Sequence, residues 1–597
     1  MADDSTGANF MSTRTSFPTP SRRAFLGATL GAALAGGALT ACSPSTPTKP
    51  AGPSLDPSRL LPPEGGPAKT PVDGVVYPPD YDGPQAYTPE KLVTEAFTLS
   101  VVAIQDPTVG DWKTNAMTKW YEERTGISVD WTVIPAGDEG LTKLNAMIAS
   151  GNLPDVVLMN PLSRSALYAN AQQGTFIDVK DIVAKYAPNT QMMLDTFAEE
   201  AKALFAPDGG LYGVPQLNDC YHCRCYWDRV WVHKPTMDEL GLKMPRTTEE
   251  FKQVLLDAKK ARPNIQTYTT YANETPGSAL RYDMMPLGAF GYYPGTVNAF
   301  QQNYLATGED GKVYVSLTGD SAREGLKYLS DLRESGAIDP ANFNQTGDQL
   351  KRQVAQGNVL MIAAGYQGEF MNIGDPKYRD WVALEPFSAP GTKAVVSWDY
   401  YGGMSVASLI SKTCKTPEMA AAWIDLMFEA TATSASQLGV QGEGWDWSKP
   451  GAEGLIGGPA MYWSNFDDKA RKDKCWNQYG PTYRSTMYRD AQESDPKDPS
   501  FEATLRTVSE DLYFPYAQPQ EMQVPPLYLD EAQAGSIATQ ISDVSTFLQQ
   551  AVFEFTSGKR NANDDGAWQA FKDEVASRGA TQIIEVMQPA VDAFRNA

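Results

Sequence analysis

The 597 residues are 42% hydrophobic and 20% charged, which is enough apolar material for more than one core and excludes a largely disordered chain. Lys and Arg number 50 against 72 Asp and Glu, a net charge of −22. A surface this acidic repels phosphate backbones and argues against nucleic-acid binding, and two histidines, His222 and His233, leave little for a multi-histidine metal centre or a Ser/His/Asp triad.

The chain opens on an address. Arg22-Arg23, with Phe25 and Leu26 behind them, precede an uncharged run of small and apolar residues from Ala28 to Ala41. A basic pair and a short apolar run form an export-signal pattern, too short to span a bilayer stably. The pair resembles a twin-arginine signal, and Leu39-Thr40-Ala41-Cys42 resembles a bacterial lipobox. That resemblance implies removal of residues 1–41, a diacylglycerol on the Cys42 sulfur and a third acyl chain on the freed amino group, together a firm anchor where one chain is marginal. A plain secretory signal with a chance cysteine is the alternative. Residues 1–10 add nothing to the signal, so Met11 serves as well as Met1 for a start. The expected location is the extracytoplasmic face of the cell membrane. Residues 42–95 read as a Pro-rich tether, with Pro44, Pro47, Pro50 and Pro53 and the pairs Pro62-Pro63 and Pro78-Pro79 favouring extended chain.

Regular structure is predicted from Phe97. Phe97 to Ile104 reads as a strand, and Asp111 to Arg124 as a helix with Trp112, Ala116, Trp120 and Tyr121 at helical spacing, ended by Gly126. Ile127, Val129, Trp131 and Val133 alternate as in a strand. Asp138 reads as the cap of a second helix with Leu141, Leu144, Met147 and Ile148 on one face, and Asp155 to Met159 as a third strand. This β-α-β-α-β order calls for a right-handed parallel sheet, whose ligands sit beyond the carboxyl ends of the strands. Gln105–Trp112 and Asn160–Arg164 therefore fall at a candidate mouth. Further helices are predicted over 248–261 (capped by Thr248), 321–335, 346–356 and 417–429, with a buried strand over 359–363. Ile537, Ile541, Val544, Leu548, Val552 and Phe555 mark an amphipathic helix, and 566–596 reads as largely helical.

Several segments carry a family resemblance: Trp120-Tyr121-Glu122-Glu123-Arg124-Thr125-Gly126-Ile127, Gly151-Asn152-Leu153-Pro154-Asp155-Val156-Val157, Tyr212-Gly213-Val214-Pro215, Trp231-Val232-His233-Lys234, Pro417-Glu418-Met419-Ala420, and Gly439-Val440-Gln441-Gly442-Glu443-Gly444 with Phe555-Thr556-Ser557-Gly558-Lys559-Arg560. Their order and spacing over roughly residues 96–595 resemble extracellular solute-binding protein family 1, the receptors of ATP-driven sugar importers. Within that family, the long lipoprotein group of oligosaccharide and alginate binders is the nearer likeness. The resemblance implies an α/β, two-lobed, Venus-flytrap fold with hinge crossings, one lobe from 96–216 and 388–435, the other from 217–387 and 436–597. It further implies a carbohydrate, most readily an oligosaccharide, held in the cleft of a monomer, closure that shifts the population to a closed form, and delivery to the permease subunits of an ATP-binding-cassette importer, without a cofactor. Some long members carry a calcium loop after the 248–261 helix. Here Arg262-Pro263-Asn264-Ile265-Gln266-Thr267 lacks acidic ligands, so no metal is expected there.

A sugar offers hydroxyls and apolar C–H faces, so its site stacks aromatic rings and surrounds them with polar groups. Aromatics beside carboxylates in Gly-rich loops are the candidates: Trp398, Asp399 and Tyr400 before Gly402-Gly403, Trp445 and Trp447 after Gly444, Tyr366 between Gly365 and Gly368, and Trp227 beside Asp228, with Trp112 and Asn160 at the mouth. Ordinary packing is the competing reading for each; Trp131 and Trp423 read as core. Cys220, Cys223, Cys225, Cys414 and Cys475 remain after Cys42. An exported chain favours disulfides over metal or redox use, with pairing open and Cys414–Cys475 one option. The enzyme alternative, a secreted carbohydrate-active enzyme using paired carboxylates, stays open because 72 acidic residues allow many pairs; no nucleophile elbow, zinc helix or P-loop motif is present.

Overall fold

A computed structural model describes residues 61–271, 282–295, 297–298, 301–302, 304–465 and 471–596; the signal run, Cys42 and the first part of the tether lie outside these. Phe97–Ile104 runs parallel to Ile127–Ile134 in register from Phe97 opposite Ile127 to Ile104 opposite Ile134, and parallel to Val156–Leu158 on its other side. Met404–Ile410 pairs antiparallel with Val156–Leu158 and with Val214–Asn218, and Tyr483–Arg484 completes the six-stranded sheet at its edge. Val101, Val102 and Ala103 are all buried: a parallel sheet covered on both faces takes a continuous apolar run rather than an alternating one.

The connecting helices are set by local chemistry. Asn115 caps Ala116–Thr125 by accepting from the Met117 amide, and Gly126 ends it in the left-handed region at φ 76°. A Cβ on Gly126 would lie 2.1 Å from the Val93 carbonyl oxygen, so only glycine allows this close approach. The helix begins four residues after Trp112, not at Asp111. The second helix, Asp138–Ser150, takes Gly137 at its cap position with no side-chain bond there, and Asp138 instead places a negative charge in the first turn, where the helix dipole favours it. Thr247, not Thr248, caps Thr248–Ala261.

Val230–His233 and Trp381–Ala383 pair antiparallel. Val359–Ala363 joins Val230–His233 antiparallel and Gln266–Thr269 parallel, giving a second sheet of four strands. The chain passes from the first sheet to the second between Asn218 and Val230, and back between Ala383 and Met404. Each sheet has its own core. Trp112, Tyr121, Trp131, Trp423 and Trp476 lie in the first; Trp231, Phe251, Tyr268, Leu329 and the inner face of the helix Glu531–Ser557 lie in the second.

Two expected boundaries change. The tether ends early: Lys69–Pro71 pairs with Tyr87–Pro89, Tyr87, Leu92 and Val93 enter the first core, and the Tyr87 hydroxyl donates to Asn189 Oδ1 at 3.0 Å. Proline here keeps the strand extended while apolar neighbours pin it to the lobe. The stretch 445–491, expected with the second lobe, supplies Trp445, Tyr462, Trp476 and Tyr488 to the first core, because Tyr483–Arg484 is drawn in as its edge strand. From Leu505 onward the buried residues belong to the second core.

Candidate functional site

The candidate residues lie at the ends of the parallel strands and on the two crossings between the sheets. Ser408 lies opposite Leu158, so Met404 to Ala407 project past the carboxyl end of Val156–Leu158. Met159 leaves that end with a left-handed backbone, φ 55°, a conformation side chains rarely adopt. Asn160 follows, its amide donating to the Ala407 carbonyl at 2.7 Å and its Oδ1 accepting from Leu162 N at 2.9 Å. Asn160, Arg164, Gln216, Ser405 and Tyr528 line a cavity of about 170 Å³. The Arg164 guanidinium lies over the Tyr528 ring, 5.5 Å from its centre, and burial lowers its pKa.

At the first crossing one guanidinium meets two carboxylates and feels the charge of a third. Arg224 donates through Nη2 (2.7 Å) and Nε (3.2 Å) to Asp219 Oδ1, and lies 3.9 Å from Glu200 Oε1. Its carbonyl accepts from the Asp399 amide at 2.9 Å. Thr486 donates to Asp219 Oδ2 at 2.6 Å. Asp399 Oδ1 accepts from Gln523 Nε2 at 2.8 Å and from the Tyr401 amide at 3.0 Å. Glycine at 403 makes room, since a Cβ there would lie 2.7 Å from Glu200 Oε2. Burial pushes the Glu200 and Asp399 carboxyls up, with Arg224 opposing it. Burial works against the charge on Arg224, but Asp219, and behind it Glu200 and Asp399, hold its pKa above the usual value. Such carboxylates are strong acceptors for hydroxyl donors.

Past the carboxyl ends of Gln266–Thr269 and Val359–Ala363 and on the first crossing, the second lobe is aromatic. Tyr226, Trp227, Tyr271 and Tyr366 are all half-buried. Tyr226 and Trp227 pack edge to face at 4.9 Å, and Tyr366 packs on Phe501 at 5.4 Å. Tyr226 and Tyr271 both donate to the Glu369 carboxylate, Tyr271 at 2.8 Å to Oε2, and the Gly365 amide donates to Oε1 at 3.2 Å. A Cβ on Gly365 would lie 2.2 Å from the Tyr226 ring, and one on Gly368 2.3 Å from the Tyr366 ring. These glycines let the rings lie flat on the backbone and hold them without burying them. Burial raises the Glu369 pKa against its three donors.

The candidates named from sequence divide sharply. Asn160, Asp399, Tyr400, Trp227 and Tyr366 lie at this region, Tyr400 held through its amide to Gln523 Oε1 and its hydroxyl to the Gln518 carbonyl, each at 2.8 Å. Trp398, Trp445 and Trp112 offer no face. Trp398 is 2% exposed, with Tyr221 and Phe514 against its ring at 5.0 and 4.9 Å. Trp445 is fully buried, its Nε1 donating to the Gly439 carbonyl, and Trp112 sits between Trp131 and Trp476 in the first core. Trp447, half-buried, packs at 5.0 Å on Trp445, away from the crossings. The segments around Trp398 and Trp445 turn back onto the cores and bury those rings. Glu200, Arg224, Tyr226 and Tyr271 were missed. The available signals were Tyr226 adjoining Trp227, and the unusual run Asp219–Cys225.

That run also settles the cysteines. Cys220 and Cys223 form a disulfide, while Cys225, Cys414 and Cys475 are free and buried, so the Cys414–Cys475 option does not form. His222 joins Cys220 and Cys223 within 4.8 Å, but the sulfurs are bonded to each other. Burial first, then Arg229, Arg489, Arg506 and Arg484, hold the imidazole well below its ordinary pKa, a field that opposes a cation. Among the described residues no helix is long and apolar enough to cross a membrane.

Comparison with known proteins places this geometry. The family model described as "Bacterial extracellular solute-binding protein" matches residues 106–433. The fructooligosaccharide ABC transporter substrate-binding protein FusA of Streptococcus pneumoniae serotype 4 is 24% identical over 484 residues, covering 79% of this chain and 86% of that protein. The polygalacturonan/rhamnogalacturonan-binding protein YtcQ of Bacillus subtilis is 24% identical over 260 residues, 43% of this chain and 48% of its own. Among solved structures, FusA with kestose superposes with a TM-score of 0.68 at 20% identity, over 84% of this chain and 99% of that one. An extracellular solute-binding protein from Bifidobacterium longum subsp. infantis gives 0.70 at 17% identity over the same shares. These likenesses show the two-lobed α/β fold.

Proposed function

The chain belongs to the bacterial extracellular solute-binding proteins, and from that premise we propose that it is an extracytoplasmic receptor that captures an oligosaccharide intact and presents it to the permease of an ATP-binding-cassette importer. The observation that carries the reading is the gathering of two kinds of group on the crossings and the strand ends beside them: half-buried rings (Tyr226, Trp227, Tyr271 and Tyr366) and polar side chains (Asn160, Glu200, Arg224 and Asp399). Rings take the apolar sugar faces; carboxylates and the guanidinium take hydroxyls in hydrogen bonds that no water need share once the lobes close. Release follows from reopening, with no bond broken in the guest.

Asn160 and Glu200 lie on the first lobe, Tyr271 and Tyr366 on the second, and Arg224, Tyr226, Trp227 and Asp399 on the crossings between them, so a sugar touching all of them stabilises the closed arrangement by its differential affinity for it. The sugar relatives support this class of guest: FusA is named for fructooligosaccharides and YtcQ for polygalacturonan and rhamnogalacturonan. Under the same reading, the twin-arginine signal exports the chain and acylated Cys42 holds it at the membrane, acting as a monomer without cofactor. The test is a thermal-shift screen of the purified protein against neutral and acidic oligosaccharides. Stabilisation by a saccharide, reduced in Trp227→Ala, supports the site; stabilisation by peptides or amino acids alone contradicts it. For the anchor, Cys42→Ser releases the protein from membranes, and retention there contradicts it.

A further inference from the structure

The disulfide Cys220–Cys223 lies in the first crossing, at the head of a run of tight 3-10 turns from Tyr221 to Asp228. The Cys223 amide also donates to the Cys220 carbonyl at 2.9 Å, so bond and turn close the same four residues. The side chains leaving this turn go to different walls. Tyr221 lies between Arg506, whose guanidinium is 3.8 Å from the ring centre, and Trp398. Arg224 reaches back to Asp219 and toward Glu200. Tyr226 and Trp227 turn to the aromatic edge of the second lobe. Past the turn, Arg229 is fully buried and grips the Gly365 carbonyl and Ser509 Oγ at 2.8 and 2.7 Å. Downstream of Cys223 the run is therefore moored at Arg229, and upstream at Asp219, whose amide donates to the Arg484 carbonyl at 2.8 Å. Between the moorings the backbone leaves helical geometry at Cys225 (φ −120°, ψ 30°); Arg224 is held by its carbonyl to the Asp399 amide and Tyr226 by its hydroxyl to Glu369, and the staple over 220–223 is the covalent constraint next to them. Cys223 is exposed, which puts the bond within reach of a reductant.

We infer that the Cys220–Cys223 disulfide is a positioning element of the binding cleft, and that the receptor's affinity for its sugar depends on that bond being oxidised. The inference rests on the receptor reading. A dithiol such as dithiothreitol supplies two electrons: the protein S–S bond breaks, two thiols form at Cys220 and Cys223, and the reductant leaves as its cyclic disulfide. A short closed loop loses few unfolded conformations when cross-linked, so the bond contributes less to global stability than a long-range one would. Its effect is local, on the orientation of the run.

The experiment compares oxidised protein, dithiothreitol-reduced protein and a Cys220→Ser/Cys223→Ser variant, all in a Cys225→Ser background that removes the neighbouring thiol. Amide exchange across 219–229 and titration with a neutral fructo-trisaccharide, or whichever probe of the saccharide screen binds the oxidised protein, are the readouts. Exchange across 219–229 is expected to rise about tenfold on reduction while the strands of both sheets keep their protection. Sugar affinity is expected to fall about tenfold and to return on reoxidation, a recovery the double-serine variant cannot show. Unchanged exchange overturns the inference whatever the sugar does, and so does unchanged affinity for a sugar that binds. If no saccharide binds the oxidised protein but exchange responds, the positioning role stands and the receptor reading falls.

Discussion

Trp112, Trp131 and Trp476 in the first lobe pack ring against ring, with centres 4.7 to 5.8 Å apart, and leave almost nothing to solvent. Tyr226, Trp227, Tyr271 and Tyr366 beside the second sheet's strand ends stay half-buried: Tyr226 and Tyr366 lie against glycine backbone, Tyr226 and Tyr271 are tied by hydroxyl to Glu369, and Trp227 packs edge to face on Tyr226. The difference is in what holds each ring. A ring held by other rings has spent its faces, whereas one held at its rim by a hydrogen bond, or from beneath by a glycine, keeps a face to offer. Aromatic content alone therefore does not mark a sugar site.

This contrast can be broken most forcefully in the first cluster. Trp476→Ala is expected to lower unfolding stability by about 3–5 kcal/mol, the cost of emptying a packed aromatic position, as read by denaturant titration. Any sugar affinity remaining in the folded fraction should be unchanged. A loss smaller than about 1 kcal/mol would show that the cluster is not a core.

The next effect is in pH. Burial pushes the fully enclosed Asp425 up to about 6 despite donors from Asn189 and Thr190, and burial also raises Glu429, Asp490 and Glu502. A carboxyl whose folded pKa is raised stabilises the fold fully below its unfolded value, near 4, and loses that contribution as pH climbs through the folded one. Unfolding free energy should therefore fall between about pH 4 and pH 6, by about 3 kcal/mol for Asp425 alone. Asp425→Asn should flatten that slope in a denaturation series; an unaltered slope would contradict the assignment to Asp425.

At the open edge the effects move from stability to affinity. Trp227→Ala should weaken saccharide binding by about 1–2 kcal/mol, roughly tenfold, while changing unfolding stability by less than Trp476→Ala does. The smallest effect is expected from Tyr271→Phe, which removes only a hydroxyl donated to Glu369. About 1 kcal/mol or less is expected, seen as a few-fold loss of affinity by calorimetry. Equal stability losses in Trp476→Ala and Trp227→Ala would erase the distinction between the two regions.

The sequence made much of the framework legible. The β-rich run at 97–104, the continuous apolar run at 359–363 and the glycine after Thr125 are local signals, and the strands and the helix end follow from them. The parallel order of the first three strands follows from connection length and handedness. What escaped was long-range. Nothing near Tyr483 announces that it joins a sheet beginning at Phe97, so 445–491 went to the wrong lobe, and Tyr87 looks like tether until Asn189, 102 residues on, accepts its hydroxyl. The site split for the same reason. Tyr366 could be found because its flanking glycines lie beside it in sequence, whereas Trp398 reads as a loop aromatic until Phe514 closes over it. Glu200 and Arg224 acquire meaning only when Asp399 arrives from the return crossing.

The most direct test is a calorimetric titration of the purified oxidised protein with neutral oligosaccharides, the sugar being recovered afterwards and sized. The expected result is one saturable site per chain, recovery of the saccharide at its original length, and binding about tenfold weaker in Trp227→Ala with the fold retained. Shortened sugar, or binding untouched by Trp227→Ala, would contradict it.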